Sequence, residues 1–363
     1  MSVPAPAPHE HWPAVFGRRR LLLHAGLHKT GTTAVQYFLY RLTDKLRVAG
    51  VLYPATGRPD FVTCGHHNIA WQLAGDPRFD AAHGTLDQLA AEIAAFPGDA
   101  VLSSEDFASV LDRPERLAPL LRHPALAGHA ITLLLTLRDQ VSYFEALYVE
   151  LLRHGVVLPA ALVAERAMAD GVLRTGPRAY PFDFAALHAA LLRNAGLTVA
   201  LRTYDRPQGG SALADFLAFA RLPVAATPVD AALRLNPRPD VLAMMVPFCG
   251  TSIKPLLGEI RIQGLLRGRL AHLAPAMRAR MAARFAPGNA ALVQQAGLPH
   301  GSLAIAPAMP ADGLVMERLF SAEVHAAILG QFASADPYTA AEAVLAALGT
   351  ALPQPGEIAA GRA

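Results

Sequence analysis

The sequence predicts an α/β protein built on a parallel sheet covered on both sides. Three observations lead there. Short apolar runs recur at 20–25, 100–102, 130–137 and 197–202. Stretches with apolar residues at helical spacing lie between them. The run at 130–137 is apolar almost throughout, as expected of a strand buried on both faces. Strands alternating with helices form a parallel sheet sandwiched between helical layers. Such sheets bind ligands at the carboxyl ends of their strands, where strand order switches.

The elements follow in order. After the strand at 20–25 comes a helix at 32–48, with Val35, Phe38, Leu39, Leu42 and Leu46 at helical spacing. His67 opens a helix containing Ile69, Trp71 and Leu73. Residues 86–96 read as a helix, 100–102 as a short strand, and 140–154 as the helix after the longest strand. A helix at 182–194 stops before Gly196, a residue suited to a helix end. The strand at 197–202 precedes a helix at 209–221 that starts near Ser211. After residue 230 the pattern is mostly helical, with breaks at Pro237, Pro247 and Pro255. No repeat and no linker divides the chain. The expected organisation is one domain over 18–349, mainly helical over 230–349, between flexible tails at 1–17 and 350–363.

Composition bounds the function. The chain has 363 residues, 53% hydrophobic and 17% charged, enough for a large core without a disulfide or metal staple. That balance excludes a disordered chain. Lysine occurs only at Lys29, Lys45 and Lys254, so 29 of the 32 basic residues are Arg. A formal charge of +3 permits an anionic ligand. No clustered basic stripe argues for nucleic acid. Cys64 and Cys249 have no metal-ligand spacing; two cysteines allow one disulfide, and reduced thiols of a cytoplasmic protein are the expectation. The first 17 residues lack an apolar targeting core. The run at 131–137 is far short of the ~18 apolar residues of a membrane helix, so no integral membrane segment is expected.

The chemistry lies after the strands. The first leads into His24-Ala25-Gly26-Leu27-His28-Lys29-Thr30-Gly31-Thr32-Thr33. Glycines let backbone approach a ligand, amide groups at a helix start attract an anion, and Lys29 adds a positive charge. Lys29 precedes Gly31 by two positions, so this is not a Walker A loop, whose lysine follows the last glycine. A phosphate or sulfate donor other than a nucleoside triphosphate fits better. An ordinary glycine-rich turn is the competing reading.

The second strand leads into Ser103-Ser104-Glu105-Asp106. A carboxylate there can take a proton from an attacking hydroxyl. The same residues also suit a helix N-cap with acids in the first turn. The third strand ends in Arg138-Asp139-Gln140. Arg138 can grip a second phosphate in a bidentate fork, or pair with Asp139 or Glu145 on the surface. No cluster has metal-ligand spacing, and no metal is expected. His66-His67-Asn68 comes nearest, but adjacent helical residues do not share a face.

These segments together resemble the PAPS-dependent sulfotransferases, in their bacterial branch associated with glycan-modifying enzymes. The string from Gly26 to Thr33 is similar to that family's loop for the 5′-phosphosulfate. Leu137-Arg138-Asp139-Gln140, running to Tyr148, resembles its 3′-phosphate region, and Val101 to Glu105 its middle motif. Weaker echoes are Tyr204-Asp205-Arg206, Asp215-Phe216-Leu217, and Phe285 with Asn289, so the resemblance spans roughly 20–298.

The resemblance implies a P-loop-type three-layer sandwich and a sulfonate transfer from 3′-phosphoadenylyl sulfate to an acceptor hydroxyl. It gives Lys29 the bridging oxygen and the sulfonate. Thr30, Gly31, Thr32 and Thr33 take the 5′-phosphate, and Arg138 the 3′-phosphate. It makes Glu105 the first candidate for the base, with His28 and His67 behind it. The family's serine eight residues after the arginine is Ala146 here, and Ser142, one helical turn earlier, is the candidate substitute.

The expected acceptor is a small molecule or glycan, with 55–85 and 155–180 as candidate acceptor segments. A non-catalytic nucleotide- or sulfate-binding module is the alternative from another class. A P-loop kinase-like phosphotransferase is a third, opposed by the lysine position and by the lack of a Walker B acid.

Overall fold

The computed structural model describes residues 11–59, 64–154, 156, 158–204, 211–224, 270–305 and 314–315. Their contacts group into two compact units. The first is Met1–Tyr143, Arg166–Asn236 and Ala282–Ile305; the second is Phe144–Glu165, Pro237–Met281 and Ala306–Ala363. The units draw on interleaved segments, so no single linker separates them.

The first unit is an α/β structure around a five-stranded parallel sheet ordered β2-β3-β1-β4-β7. The strands are β1 (Arg19–Gly26), β2 (Val51–Leu52), β3 (Asp99–Ser103), β4 (His129–Leu137) and β7 (Leu197–Thr203). From β1 the chain runs to the β2 edge and returns through β3. It then crosses to β4 and β7 on the other side. Strand order therefore switches at β1, with His24 beside Ser103 on one flank and Gly26 beside Thr136 on the other.

Both faces of the sheet are buried. Leu22, Val101, Leu134 and Ala200 pack with Val35, Phe38 and Leu39 of α1 (Thr32–Arg41) and with Leu213, Phe216 and Phe219 of α10 (Ala212–Ala220). Alternating residues Leu21, Leu23, Leu102, Leu133 and Leu135 are as fully buried and point to the opposite face. There α5 (Phe107–Leu111) packs on β1. A strand buried on both sides reads as an unbroken apolar run, which is why β4 stood out in the sequence.

Several elements differ from expectation. The helix expected over 32–48 breaks at Leu42 into α1 and α2 (Thr43–Val48), since Leu42 leaves the helical region at φ −104° and ψ 15°. α3 (His67–Ala74) and α4 (Leu86–Ala95) fall where expected, and α4 carries a Thr85–Gln88 capping box. α9 (Phe184–Leu191) is shorter than expected, because Asp183 caps its start. β2 has two residues, too few for a pattern. The antiparallel hairpin of β5 (Val172–Thr175) and β6 (Arg178–Pro181) closes the candidate acceptor segment 155–180, where no strand was expected. Trp12, within the stretch read as tail, is buried under the Arg20 guanidinium, and its backbone N–H donates to Phe219 O at 2.9 Å.

α6 (Ala118–Leu121) precedes β4. α7 (Gln140–Arg153), α8 (Ala160–Asp170) and α11 (Pro275–Gln295) each contribute to both units. Within the first unit the Gln140 and Asn289 amides bond reciprocally at 2.9 and 2.7 Å. Within the second, Glu145 accepts from Arg278 at 2.8 Å and from the N–H of His272 at 2.7 Å. There β8 (Leu270–Ala271) pairs in parallel with β9 (Leu314–Val315). Most of 230–349, Cys249 and the breaks at Pro237, Pro247 and Pro255 lie outside the described residues. Among those described, no helix is long and apolar enough to cross a membrane.

Candidate active site

The ends of β1, β3 and β4 deliver the sequence-predicted residues to one edge of the sheet. The loop between β1 and α1 folds tightly on itself. Leu27 N donates to Thr136 O on β4 at 3.1 Å, and both the amide and the hydroxyl of Thr30 donate to Leu27 O, at 3.2 and 2.6 Å. A Cβ on Gly26 would lie 2.3 Å from Thr32 Cγ2. Gly31 caps α1 at φ +85°, and a Cβ there would lie 2.6 Å from Ala212 Cβ. These glycines permit the loop's own turn and its seat on α10, where the sequence suggested only room for a ligand.

Gly31 at the N-cap offers α1 no capping side chain, the Thr30 hydroxyl is turned back into the loop, and the first turn holds no acid. Amides of a first helical turn have no partner within the helix, and the helix dipole favours an anion there. Lys29 sits in the same loop at a left-handed φ of +66°, a conformation that costs a non-glycine residue roughly 1 kcal/mol. Thr32 is buried, while Lys29 and Thr33 are half-buried.

Arg138 follows β4. Its Nη1 donates to Lys29 O at 3.4 Å, and its guanidinium lies 5.4 Å from the Tyr204 ring centroid. The same ring would lie 3.5 Å from a Cβ on Gly31, so Tyr204 links the loop to Arg138. Asp205 and Arg206, its companions in the sequence echo, lie outside the described residues. Of the two carboxylates offered by sequence as partners of Arg138, Asp139 accepts from Ser142 N at 2.9 Å and Glu145 accepts from Arg278. Ser142 is half-buried in the first turn of α7.

The third component gathers at the end of β3. Asp106 occupies the N-cap position of α5 but makes no capping bond. Its Oδ2 instead faces His67 Nδ1 at 3.0 Å and accepts from Trp71 Nε1 at 2.9 Å. Ser104 Oγ lies 2.9 Å from the same His67 nitrogen and accepts from Asp106 N at 3.1 Å. Gln36, buried on α1, donates to Glu105 Oε2 at 2.6 Å. So the N-cap reading of this segment fails, and its two carboxylates turn toward α1 and α3. His66 belongs to a different network. It accepts from Ser103 N and faces Pro54 O, which makes it a neutral ring with its proton on Nε2.

Electrostatics separates the three base candidates. Burial alone would lower His67, but the Glu105 charge and the Asp106 hydrogen bond outweigh it and raise the imidazole above its ordinary value. Burial would raise Glu105 and Asp106; the His67 charge beside Glu105 and the His67 hydrogen bond to Asp106 outweigh it and lower both from their ordinary values. Burial lowers His28. The His28 ring meets Tyr180 edge-on at 5.0 Å, and its Nε2 is buried without a hydrogen-bond partner among the described residues. Burial also lowers His24, to about 4, and His66, to about 3.

No family model, curated protein or solved structure matches the chain. Among the described residues no three His, Cys, Asp or Glu side chains are placed to hold a metal ion.

Sequence reasoning missed Gln36, and it named Asp106 without its partners. Gln36 left a signal, a polar residue flanked by Val35 and Phe38 on the buried side of α1. Asp106 left only its place beside Glu105.

Proposed function

We propose that the chain is a sulfotransferase with a P-loop-type three-layer sandwich, moving a sulfonate group from 3′-phosphoadenylyl sulfate to an acceptor hydroxyl, such as one on a glycan. The observation that supports it most is the tie between Lys29 and Arg138 at the strand-order switch, with the His67–Glu105 cluster on the adjacent strand end. Amides at a helix start, a lysine and an arginine suit a ligand with two separated anionic groups.

The donor supplies an activated sulfonate and a nucleotide leaving group. The amides of Gly31, Thr32 and Thr33 and the hydroxyls of Thr32 and Thr33 hold the 5′-phosphate. Arg138 holds the 3′-phosphate, with Ser142 beside it on α7. Lys29 stabilises the charge on the equatorial sulfonate oxygens and on the leaving oxygen, as cations do in phosphoryl transfer. As the acceptor oxygen bonds to sulfur, the bond from sulfur to the phosphate oxygen breaks. The hydroxyl proton passes to His67 Nε2, and the electron pair leaves with adenosine 3′,5′-bisphosphate.

His67 replaces Glu105 as the first choice of base for a physical reason. A base works best with a pKa near the working pH. Glu105 is held low and is a weak base, whereas His67 is raised by the carboxylates around it.

Calorimetric titration with adenosine 3′,5′-bisphosphate, followed by an assay of labelled sulfonate on glycan acceptors, tests this reading. Binding with a sulfated product is expected. Binding without product would favour the non-catalytic module, and no binding would overturn the donor assignment.

A further inference from the structure

We propose that Asp106 is a positioning residue, which fixes the His67 ring with the proton on Nδ1 and leaves Nε2 to do the chemistry. The proposal rests on the sulfotransferase reading for its kinetic consequence and on geometry for the rest. His67 and Trp71 are four residues apart on α3 and share a face. Their ring N–H groups converge on one oxygen of Asp106, at 3.0 and 2.9 Å. Two donors on one helix, meeting one acceptor on another element, leave the carboxylate little freedom to rotate.

The second carboxylate oxygen is closed off as well. Arg78 Nη2 stands 3.6 Å from Asp106 Oδ1 and its guanidinium covers the Trp71 ring at 4.5 Å. Arg78 is itself held in a fork by Asp76, at 3.0 and 2.6 Å. The segment that carries it is pinned by Asn68, whose amide donates to Asp80 O and Gly84 O at 2.8 Å each. His67 Nε2, in contrast, packs beside Gly65, whose lack of a side chain leaves room for the ring. A Cβ on Gly65 would lie 2.7 Å from Nε2 and 2.9 Å from Gln36 Cδ. The free nitrogen of His67 therefore faces the side where Gln36 holds Glu105.

The groups acting on His67 are Glu105 and Asp106 from the turn after β3 and Arg78 from the segment after α3, with the neutral His66 beside it in the chain. The two carboxylates outweigh the guanidinium. Asp106→Asn keeps an oxygen for the two donors and deletes the charge.

The test is nitrogen-edited NMR of the imidazoles in the full chain, together with pH–rate profiles. Wild-type His67 is expected to be the Nδ1-protonated tautomer when neutral. In Asp106→Asn its titration midpoint moves to lower pH, and the acid limb of kcat moves with it. The kcat falls by about 10- to 1,000-fold, part of the ~10²–10⁴ that a positioned base supplies, while the affinity for adenosine 3′,5′-bisphosphate stays unchanged. An unmoved His67 midpoint in the variant overturns the proposal. So does an Nε2-protonated neutral tautomer in the wild type, which needs no variant to be observed. Loss of bisphosphate binding by the wild-type chain would sink the donor assignment and leave the tautomer result standing.

Discussion

The guanidinium of Arg138 donates to the carbonyl oxygen of Lys29 at 3.4 Å, joining the turn after β4 to the loop after β1. These strands are direct neighbours, with Gly26 beside Thr136 at their ends. The two cations of the site are thus set by the register of one strand pair. Two anionic groups of one ligand can reach both only if they match that spacing.

Arg138→Ala is therefore expected to weaken adenosine 3′,5′-bisphosphate by about 10- to 100-fold, the ~1.5–3 kcal/mol of a charged hydrogen bond. Adenosine 5′-phosphate, which lacks the second group, should bind the variant and the wild type alike. Calorimetry with both nucleotides checks this. An equal loss for both would remove Arg138 from the 3′-phosphate.

Lys29→Ala should lower kcat by at least ~10²-fold, the scale of losing one preorganised charge at the reacting group. Lys29 is half-buried in a loop held by backbone bonds and by Thr30. The melting temperature should stay within a few degrees of wild type. Undiminished turnover in this variant would end the sulfonate-transfer reading.

His67→Asn and Glu105→Gln separate the two candidate bases. His67→Asn should remove ~10²–10⁴ of kcat without weakening the bisphosphate. Glu105→Gln deletes a negative charge that raises His67. The His67 pKa then falls, the free base persists in more acid solution, and the acid limb of the rate profile moves to lower pH. If Glu105 is the base instead, Glu105→Gln shows the larger loss at every pH.

Local chemistry was legible in the sequence, and long-range chemistry was not. Gly31 and Lys29 stand out because a loop writes its needs into consecutive residues. β4 stands out because burial on both faces leaves an apolar run. Asp106 and His67 are 39 positions apart and meet only because α3 folds over the end of β3. Read alone, Asp106 fits a helix cap, and its true partners could be found only from the packing of α3.

Gly65→Ala probes the packing around His67 Nε2 without replacing a titratable group. The added methyl would lie 2.7 Å from Nε2 and 2.9 Å from Gln36 Cδ, closer than real contacts allow. Either His67 or Gln36 must shift. The kcat is expected to drop by about 10-fold or more, since small displacements of reacting groups are costly. The His67 line in the NMR spectrum should move while bisphosphate affinity holds. A variant with wild-type kcat would show that the chemistry does not depend on the placement of Nε2 beside Gly65.

Acid stability follows from buried histidines away from the chemistry. Burial lowers His24 to about 4 and His66 to about 3, against 6.5 for an exposed ring. A group whose folded pKa is depressed contributes stability above its unfolded value and loses it as pH falls toward the folded value. Both rings stay neutral in the fold while the unfolded chain gains their protons. His66 cannot gain one without losing the bond it accepts from Ser103 N, and His24 shares a buried bond with Ser103 Oγ at 2.8 Å. The free energy of unfolding should thus fall steadily from pH 6.5 down to about 4, by on the order of 3 kcal/mol for each ring. His67 works in the opposite sense. Its raised pKa adds stability below 6.5 that disappears as pH rises through the folded value, so it cannot cause a loss in acid. Urea unfolding across pH 4 to 8 measures the slope, and a flat profile between 6.5 and 4 would show that these two rings already carry protons in the folded chain.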